Sequence, residues 1–279
     1  MNEFAPAGHY YSPIPNLDEI KLREKELFSN PPKNFPGIDL NERAQLETLR
    51  LFGAYYREQP FSENKAAKLR YYFKNSAFSY ADALVLYCMI RHLKPKRIIE
   101  IGSGYSSCVT LDTNELFFDN KIACTFIEPH PELLQSLLKS SDADRIKIIP
   151  QKLQEVDSNI FAELSSQDIL FIDSTHVAKI GSDVNLIFSK ILPMLKKDVF
   201  IHFHDIFYNF DYPAEWVFGG RAWNEAYVLR AFLQYNDSFK IQYFNSMLGA
   251  FYAELVRKEM PLCLKNQGGS IWIKKLGNL

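Results

Sequence analysis

The stretch Arg97–Phe118, RIIEIGSGYSSCVTLDTNELFF, joins a short apolar run to a segment with helical spacing through a turn that holds two glycines. Residues 97–101 are typical of a buried strand, and residues 106–118 of an amphipathic helix. Gly102 and Gly104 permit a tight turn and a close approach of the backbone to a ligand, just before a helix N-terminus. Such a pair of glycines is weak evidence by itself, and a plain turn capped by serines is the alternative.

Strands and helices alternate beyond this stretch. The pattern predicts strands over 122–127, 145–149, 168–172, 199–203, 239–244 and 270–273, and helices over 131–139, 183–195 and 223–235. On the N-terminal side, Ser79–Asp82 resembles a capping box that opens a helix, and Pro95 ends that helix. This alternation predicts an α/β fold with a mostly parallel sheet covered by helices on both faces. In such sheets, ligands bind beyond the carboxyl ends of the strands.

The first 78 residues differ from the rest in being rich in proline, tyrosine and charge. Helical patterns near 17–28 and 40–58 are separated by NPPKNFPGIDLNER, in which proline and glycine break any helix. The segment is too small for a second independent core. We therefore expect residues 1–78 to form an N-terminal helical or irregular extension, or a lid, in front of one large domain over 79–279.

The composition excludes several classes of protein. The 279 residues carry a net charge of -1, which does not favour a nucleic-acid or anionic membrane partner. The four cysteines lack the paired spacing of a zinc site or a disulfide framework, and buried thiols of this kind indicate a cytoplasmic protein. The first residues lack the features of a signal peptide, and no apolar run approaches the ~18 residues of a membrane helix. We expect a small-molecule partner, and the aromatic content permits a homodimer.

Polar residues follow the second and third predicted strands. Glu128 can accept hydrogen bonds from both hydroxyls of a ribose, although a surface glutamate at a loop start is the alternative. Residues 150–154 give a weaker indication of a loop around an adenine ring, and a simple loop is at least as plausible. Ser107 stands where a dinucleotide fingerprint requires a third glycine, which counts against an NAD enzyme.

Acidic and imidazole side chains follow the fourth and fifth predicted strands. Neighbouring strands would bring Asp173, His176, His204 and Asp205 to one edge of the sheet. Two carboxylates and one or two imidazoles suit a divalent cation, with oxygen ligands favouring Mg²⁺ or Mn²⁺, and a histidine beside them suits a general base. The alternative is a polar network that fixes the strand ends. For His202, deeper in its strand, that structural role is the better interpretation.

Four motifs in this order, EIGSG, FIEP, FIDSTH and HFHDIF, resemble the class I S-adenosylmethionine-dependent methyltransferases over roughly residues 79–275. The resemblance is closest to bacterial small-molecule and sugar O-methyltransferases. HYYSPIP and HDIFYNFDYPAEW…GRAWNEAYVLRAFL also resemble one uncharacterised group of that superfamily, which extends the resemblance along the chain. The family implies a Rossmann-like seven-stranded sheet with one antiparallel edge strand.

The resemblance also implies roles for individual residues. The cofactor, S-adenosylmethionine, would contact Glu100, Gly102, Ser103, Gly104, Tyr105, Glu128 and Asp173. The catalytic base would be His176, or His204 if no metal is present. A divalent cation, Mg²⁺ or Mn²⁺, would be held by Asp173, His204 and Asp205; here His204 departs from the family, which has an oxygen ligand at that position.

The implied reaction is methylation of a small-molecule or sugar hydroxyl. Residues 207–216 follow the site, and Tyr208, Tyr212 and Trp216 offer stacking faces for an acceptor, although a core-packing loop is equally plausible. Tyr10 and Tyr11 lie in a proline-rich segment suited to a lid. A nicotinamide-dependent oxidoreductase and a non-catalytic cofactor-binding scaffold are the alternatives.

Overall fold

A computed structural model describes residues 4–277 and contains one seven-stranded sheet with the order β3-β2-β1-β4-β5-β7-β6. The strands are β1 (Arg97–Ile101), β2 (Ala123–Ile127), β3 (Ile146–Ile149), β4 (Ile169–Ile172), β5 (Phe200–His204), β6 (Phe239–Phe244) and β7 (Ser270–Lys275). All neighbouring pairs are parallel except those of β7, which runs antiparallel to β5 and to β6. The predicted Rossmann-like fold class is confirmed, with the antiparallel strand one position in from the edge.

The helices follow the strands in the predicted alternation. They are α1 (Leu17–Leu22), α2 (Glu24–Phe28), α3 (Glu42–Tyr56), α4 (Tyr80–Leu93), α5 (Tyr105–Phe118), α6 (Glu132–Leu137), α7 (Asp183–Leu186), α8 (Leu192–Met194), α9 (Ala214–Phe218), α10 (Glu225–Leu233), α11 (Asn245–Phe251) and α12 (Ala253–Glu259). A π-helical turn, Ile187–Ile191, interrupts the predicted helix over 183–195. The sequence pattern did not predict α11 and α12, which lie between the last two strands.

Two apolar layers cover the sheet, one on each face. Successive side chains of a strand point to opposite faces, so in β1 Ile98 packs into one layer, whereas Ile99 and Ile101 pack into the other. On the first face, α4 is apolar nearly all round and is covered by α3, α5, α11 and the turn Pro261–Leu264. A helix with this pattern is stable only when it is enclosed, so α4 forms the centre of that layer.

The predicted capping box at Ser79–Asp82 is wrong. Ser79 is the residue before α4, but its side chain caps no amide of the helix and instead accepts a hydrogen bond from Asn266. Asp82 is buried and accepts hydrogen bonds from Asn245 at the start of α11 and from Ser270 at the start of β7. The sequence spacing was correct for a cap, but these long-range partners compete successfully for the carboxylate.

The second half of the N-terminal extension is part of the main core. Phe61, Tyr71 and Phe73 are buried in the same apolar layer as α4. In contrast, α1 and α2 bury no residue. The domain boundary at residue 78 therefore stays a prediction, since the extension contains one well-packed and one loosely packed part.

Arg70 anchors the extension to the main domain. Its guanidinium is buried and pairs with Asp112 at 2.7 Å, with Glu115 at 2.8 Å and with Asp142 at 2.5 Å. Asp112 also accepts hydrogen bonds from the backbone amides of Arg70 and Tyr71. A buried guanidinium requires such a set of acceptors, so this network fixes the position of the extension over α5.

Within residues 4–277, no helix combines the length and the apolarity needed to cross a bilayer. The four cysteines Cys88, Cys108, Cys124 and Cys263 are free and buried. Burial raises the pKa of each thiol, so they serve as small packing side chains.

Candidate active site

The carboxyl ends of β4 and β5 bring four polar side chains to one edge of the sheet. Ile172 pairs with Phe203 in the parallel ladder, so the residues that follow start at the same level. His176 Nε2 lies 3.2 Å from Asp173 Oδ1 and 3.6 Å from Asp205 Oδ2. His204 Nε2 lies 3.6 Å from Asp205 Oδ1. The structure thus places together the four residues that the sequence analysis had grouped.

His176 is held on several sides. Its backbone has a φ of 60°, and its carbonyl accepts hydrogen bonds from the amides of Asn224 and Glu225 at the start of α10. Its Nδ1 lies 2.8 Å from Glu225 Oε2, and its ring packs on Trp223 with the ring centres 4.3 Å apart. These contacts fix the imidazole so that Nε2 faces the two aspartates.

Glu225 is a site residue that the sequence analysis missed. Its side chain is fully buried, and Oε1 has no partner among the described residues. Burial raises the pKa of this carboxyl, although the adjacent His176 acts in the opposite direction. In the sequence, Glu225 looks like an ordinary acidic residue in the first turn of a helix, and nothing local links it to a histidine 49 positions earlier.

The charges of this cluster are strongly coupled. Burial alone would lower the pKa of His176, but its hydrogen bonds with Asp173 and Glu225 raise it to about 10. Burial likewise acts to raise the pKa of Asp173, but His204 and His176 outweigh it and the pKa is lowered. Near neutral pH, His176 is therefore an imidazolium paired with carboxylates, and it must lose its proton before it can act as a base.

His204 lies in a more apolar environment. Its ring packs against Phe78 and Phe171, and its Nδ1 has no partner in the described part of the chain. Burial lowers its pKa, but the carboxylates of Asp205, Asp173 and Asp82 outweigh this effect and the pKa is raised.

His202 has the structural role expected for it. Its Nε2 lies 2.9 Å from Ser270 Oγ, and its ring stacks on Phe171 with the centres 3.9 Å apart. Burial lowers its pKa well below the usual value, so His202 is a neutral part of the core.

Three of the side chains suit a divalent cation. One donor atom from each of Asp173, His176 and Asp205 lies within 4.8 Å of the others. Two carboxylates and an imidazole fit Mn²⁺, Fe²⁺ or Zn²⁺ better than Mg²⁺. The set differs from the expected one, which had His204 in place of His176; His204 lies beside Asp205 but outside this group.

A cleft of about 460 Å³ opens beyond the ends of β1, β2 and β4. Gly102, Glu128 and Asp173, all expected to contact a cofactor, line it, and so do residues 152–154 after β3. Gly102 has a φ of 81°, and a Cβ there would lie 2.5 Å from the carbonyl oxygen of Asp173. Only glycine permits this approach of the turn to the next loop.

The other residues expected at the cofactor do not line this cleft. Glu100 is buried beneath the turn and accepts hydrogen bonds from Ser106 at 2.5 Å and Ser107 at 2.9 Å; burial raises its pKa to about 8. The hydroxyl of Tyr105 lies 3.3 Å from that of Tyr72. The remaining two residues belong to the turn itself: Ser103, with a buried hydroxyl, and Gly104, whose amide donates to Ser107.

A second cavity, of about 420 Å³, lies beside Trp223. Tyr212 and Trp223 line it, and Trp216 packs edge-on against Trp223. Tyr208 instead packs in the core, where its hydroxyl donates to the carbonyls of Pro32 and Lys33. The proline-rich segment also lines this cavity, whereas Tyr10 and Tyr11 are exposed and do not.

Comparison with known proteins identifies a domain within the chain. Residues 99–206 match a family model described as a methyltransferase domain. A protein of Archaeoglobus fulgidus, described as uncharacterized, is 38% identical over 174 residues, which are 61% of this chain and 77% of that protein. Residues 99–206 therefore form a methyltransferase domain, and the chain is a relative of the Archaeoglobus fulgidus protein. The matched segment of the methyltransferase runs from β1 to just past Asp205, so it contains the whole edge cluster except Glu225.

Solved structures resemble the methyltransferase at low sequence identity. The S-adenosylhomocysteine-bound methyltransferase PaMTH1 of Podospora anserina is 17% identical with a TM-score of 0.47, covering 99% of this chain and 100% of that one. The O-methyltransferase TomG of Streptomyces achromogenes is 12% identical with a TM-score of 0.45, covering 93% and 96%. The assignment of the fold rests on the strand order itself. The narrower resemblance to a bacterial subgroup stays a prediction.

Proposed function

We propose that this methyltransferase transfers the methyl group of S-adenosylmethionine to a hydroxyl of a small molecule. The observation that carries the proposal is the position of Asp173. Its carboxylate lines the cleft together with Glu128, and it also lies 3.2 Å from Nε2 of His176. A cofactor in the cleft and a hydroxyl at His176 would therefore meet at one side chain.

The charge of the cleft favours a cationic cofactor over a dinucleotide. Its carboxylates are Glu128, Asp173 and Asp183, beside Lys152 and Lys179. Asp173 approaches the turn closely at Gly102, where a dinucleotide would place its pyrophosphate. The anionic pyrophosphate would be repelled there, whereas the ammonium and sulfonium groups of S-adenosylmethionine would be attracted. Glu128 suits the ribose hydroxyls, as its sequence position predicted.

The chain's own residues would align and deprotonate the acceptor. When bound, the cofactor supplies an activated methyl group, so catalysis requires an acceptor oxygen held in line with it. With its Nδ1–H donated to Glu225, His176 takes the proton of the hydroxyl at Nε2, once its own imidazolium proton has left. His204, beside Asp205, is the second candidate for the base.

A divalent cation would be held by Asp173, His176 and Asp205. It would lower the pKa of the acceptor hydroxyl as a Lewis acid. In that arrangement His176 is a ligand, and Glu225 is the outer carboxylate that orients it. The proton of the hydroxyl would then pass to His204.

Two alternative functions have weaker support. A nicotinamide-dependent oxidoreductase is disfavoured by the carboxylates beside the turn and by Ser107, which bonds Glu100 where a third glycine was required. A non-catalytic scaffold is disfavoured because Asp173, the carboxylate paired with Nε2 of His176, is exposed to the cleft. A purely structural network would enclose its polar atoms.

Calorimetric titration with S-adenosylmethionine and with NADH, each with and without Mn²⁺, tests the proposal. We expect S-adenosylmethionine to bind and NADH not to bind. Glu128→Ala should weaken binding about tenfold to a hundredfold, since it removes up to two hydrogen bonds to the ribose. Glu47→Ala, on an exposed face of α3, is the matched control and should bind normally.

Three results would contradict parts of the proposal. NADH binding in place of S-adenosylmethionine would favour the oxidoreductase. Binding of neither ligand to folded protein would favour the scaffold. Mn²⁺ binding that is unchanged in Asp205→Asn would exclude the proposed cation site while leaving the methyl transfer intact.

A further inference from the structure

The cavity beside Trp223 lies next to the edge cluster. The indole of Trp223 forms part of its wall and packs against the ring of His176. Asn224, another wall residue, donates its amide to the carbonyl of His176. Asp173 opens onto the cofactor cleft. Asp173 thus lines one cavity, and its partner His176 packs against the wall of the other.

The walls of this cavity are mainly apolar. The N-terminal segment contributes Pro13, Pro15, Ile20, Leu27 and Phe28, and the main domain contributes Tyr212, Val217, Trp223 and Tyr227. The rings of Tyr212 and Trp216 meet that of Trp223 nearly edge-on, at 79° and 83°. The rings of Tyr212 and Trp223, with those of Phe28 and Tyr227, form an aromatic lining against which a flat apolar molecule would pack.

Asn224 and Tyr212, two polar side chains of the wall, are already engaged. Asn224 Oδ1 accepts the amide of Ala178 at 2.6 Å, and the hydroxyl of Tyr212 accepts the amide of Ala226 at 3.1 Å. Burial raises the pKa of the Asp211 carboxyl, and Tyr227 acts in the opposite direction. A sugar would bring several hydroxyls that each need a partner, and these walls offer too few.

Arg221 supplies a positive charge to this wall. Its guanidinium carbon lies 4.0 Å from the ring centre of Trp216 and 5.0 Å from that of Trp223. Among residues 4–277, no carboxylate lies within 4.0 Å of it. Its fork of donors is thus free for a planar anion, and a guanidinium stacked on indoles is well oriented for one.

We propose that this cavity binds the methyl acceptor and that the acceptor is a flat, apolar ring compound with an anionic group, preferably a carboxylate, as well as its hydroxyl. This inference rests on the proposed function. Arg221 and His176 both lie against the ring of Trp223, so the two side chains are neighbours of one indole. We place the anion of the acceptor at Arg221 and its hydroxyl toward His176.

Quenching of tryptophan fluorescence tests this without any methyl transfer. Of the three tryptophans, Trp216 and Trp223 are at the cavity, whereas Trp272 is fully buried in the core. The probes are 4-hydroxybenzoate, its uncharged analogue 4-hydroxybenzamide, and glucuronate, which has the charge and hydroxyls but no flat apolar body. We expect the benzoate to bind about tenfold more tightly than the amide, and glucuronate not to bind.

Arg221→Gln should abolish the preference for the benzoate, bringing its Kd to that of the amide. Arg50→Gln, an exposed arginine of α3, is the matched control and should keep the preference. Equal binding of acid and amide by the natural protein, a preference retained in Arg221→Gln, tighter binding of glucuronate, or no quenching by any probe would each overturn the inference. Since S-adenosylmethionine binding is measured separately, failure of the cofactor proposal would be distinguishable from failure of this one.

Discussion

Replacing Glu225 with glutamine tests how the candidate base is controlled. The substitution removes one negative charge but keeps the size of the side chain and an atom that can bond Nδ1 of His176. Because Glu225 Oε2 lies 2.8 Å from that nitrogen and both side chains are buried, the charge acts on His176 with little screening by water. We expect the variant to fold and the pKa of His176 to fall.

The size of the shift follows from the geometry. A hydrogen bond to a charged group contributes about 1.5–3 kcal/mol, and one pKa unit corresponds to about 1.4 kcal/mol. The pKa of His176, raised to about 10 by Asp173 and Glu225, should therefore drop by about 1–2 units. A raised histidine pKa stabilises the fold below the unfolded-state value and loses this effect as the pH rises through the folded-state value. The variant should thus be less stable by about 2 kcal/mol at neutral pH, and the difference should shrink toward pH 10 and above.

The assay is an NMR titration of the imidazole carbon-bound protons, in parallel with urea unfolding at several pH values. The chain has six histidines, and the signal of His176 is the one missing from His176→Asn. Glu254→Gln is the control, since Glu254 is an exposed acid in the first turn of α12. This measurement needs no knowledge of the acceptor.

A His176 pKa that moves by less than about half a unit would refute the reasoning. Glu225 would then be a structural acid that does not set the charge of the base. A stability loss that is the same at every pH would point in the same direction, because it would show a packing defect and no coupling to the proton.

Two further predictions concern the framework of the site and can be measured by urea unfolding. Gly102→Ala should destabilise the fold by about 2–4 kcal/mol because it combines a left-handed backbone with a clash against Asp173. The control Gly181→Ala, with a φ of 71° and nothing within 4 Å, should cost only about 1 kcal/mol. Equal losses of stability in the two variants would exclude the clash. Arg70→Met should cost about 3–5 kcal/mol because it leaves buried carboxylates unpaired, whereas Arg50→Met should change stability by no more than about 0.5 kcal/mol; a small effect at Arg70 would show that its carboxylates become protonated or solvated.

The sequence predicted the sheet well because the strands are short apolar runs enclosed on both faces. Residues 97–101 and 239–244 were predicted with the bounds that the structure has, and the other strands lie within two residues of their predicted ends. Parallel strands end at one edge, so the positions after β4 and β5 located Asp173 and Asp205 without further information. A correctly predicted strand therefore also predicts the position of the site residues that directly follow it.

The sequence failed where the partner lies far away along the chain. Asp82 was interpreted as a local cap, but Ser270 and Asn245 bind it. Glu225 belongs to the site only because the start of α10 packs on His176. Local sequence patterns hold no information on contacts between distant residues, so only the structure shows the partners of Asp82 and Glu225.

Asp173 has a consequence for how the protein responds to its solution. The same carboxylate faces the cleft and holds the imidazolium of His176, so a bound cation and the bound proton compete for it. Coupling between two sites is reciprocal. A cationic ligand at Asp173 favours loss of the proton from His176, and loss of that proton tightens binding of the ligand. Cofactor affinity should therefore increase toward alkaline pH, and the heat of binding should vary with the ionisation enthalpy of the buffer that accepts the released protons.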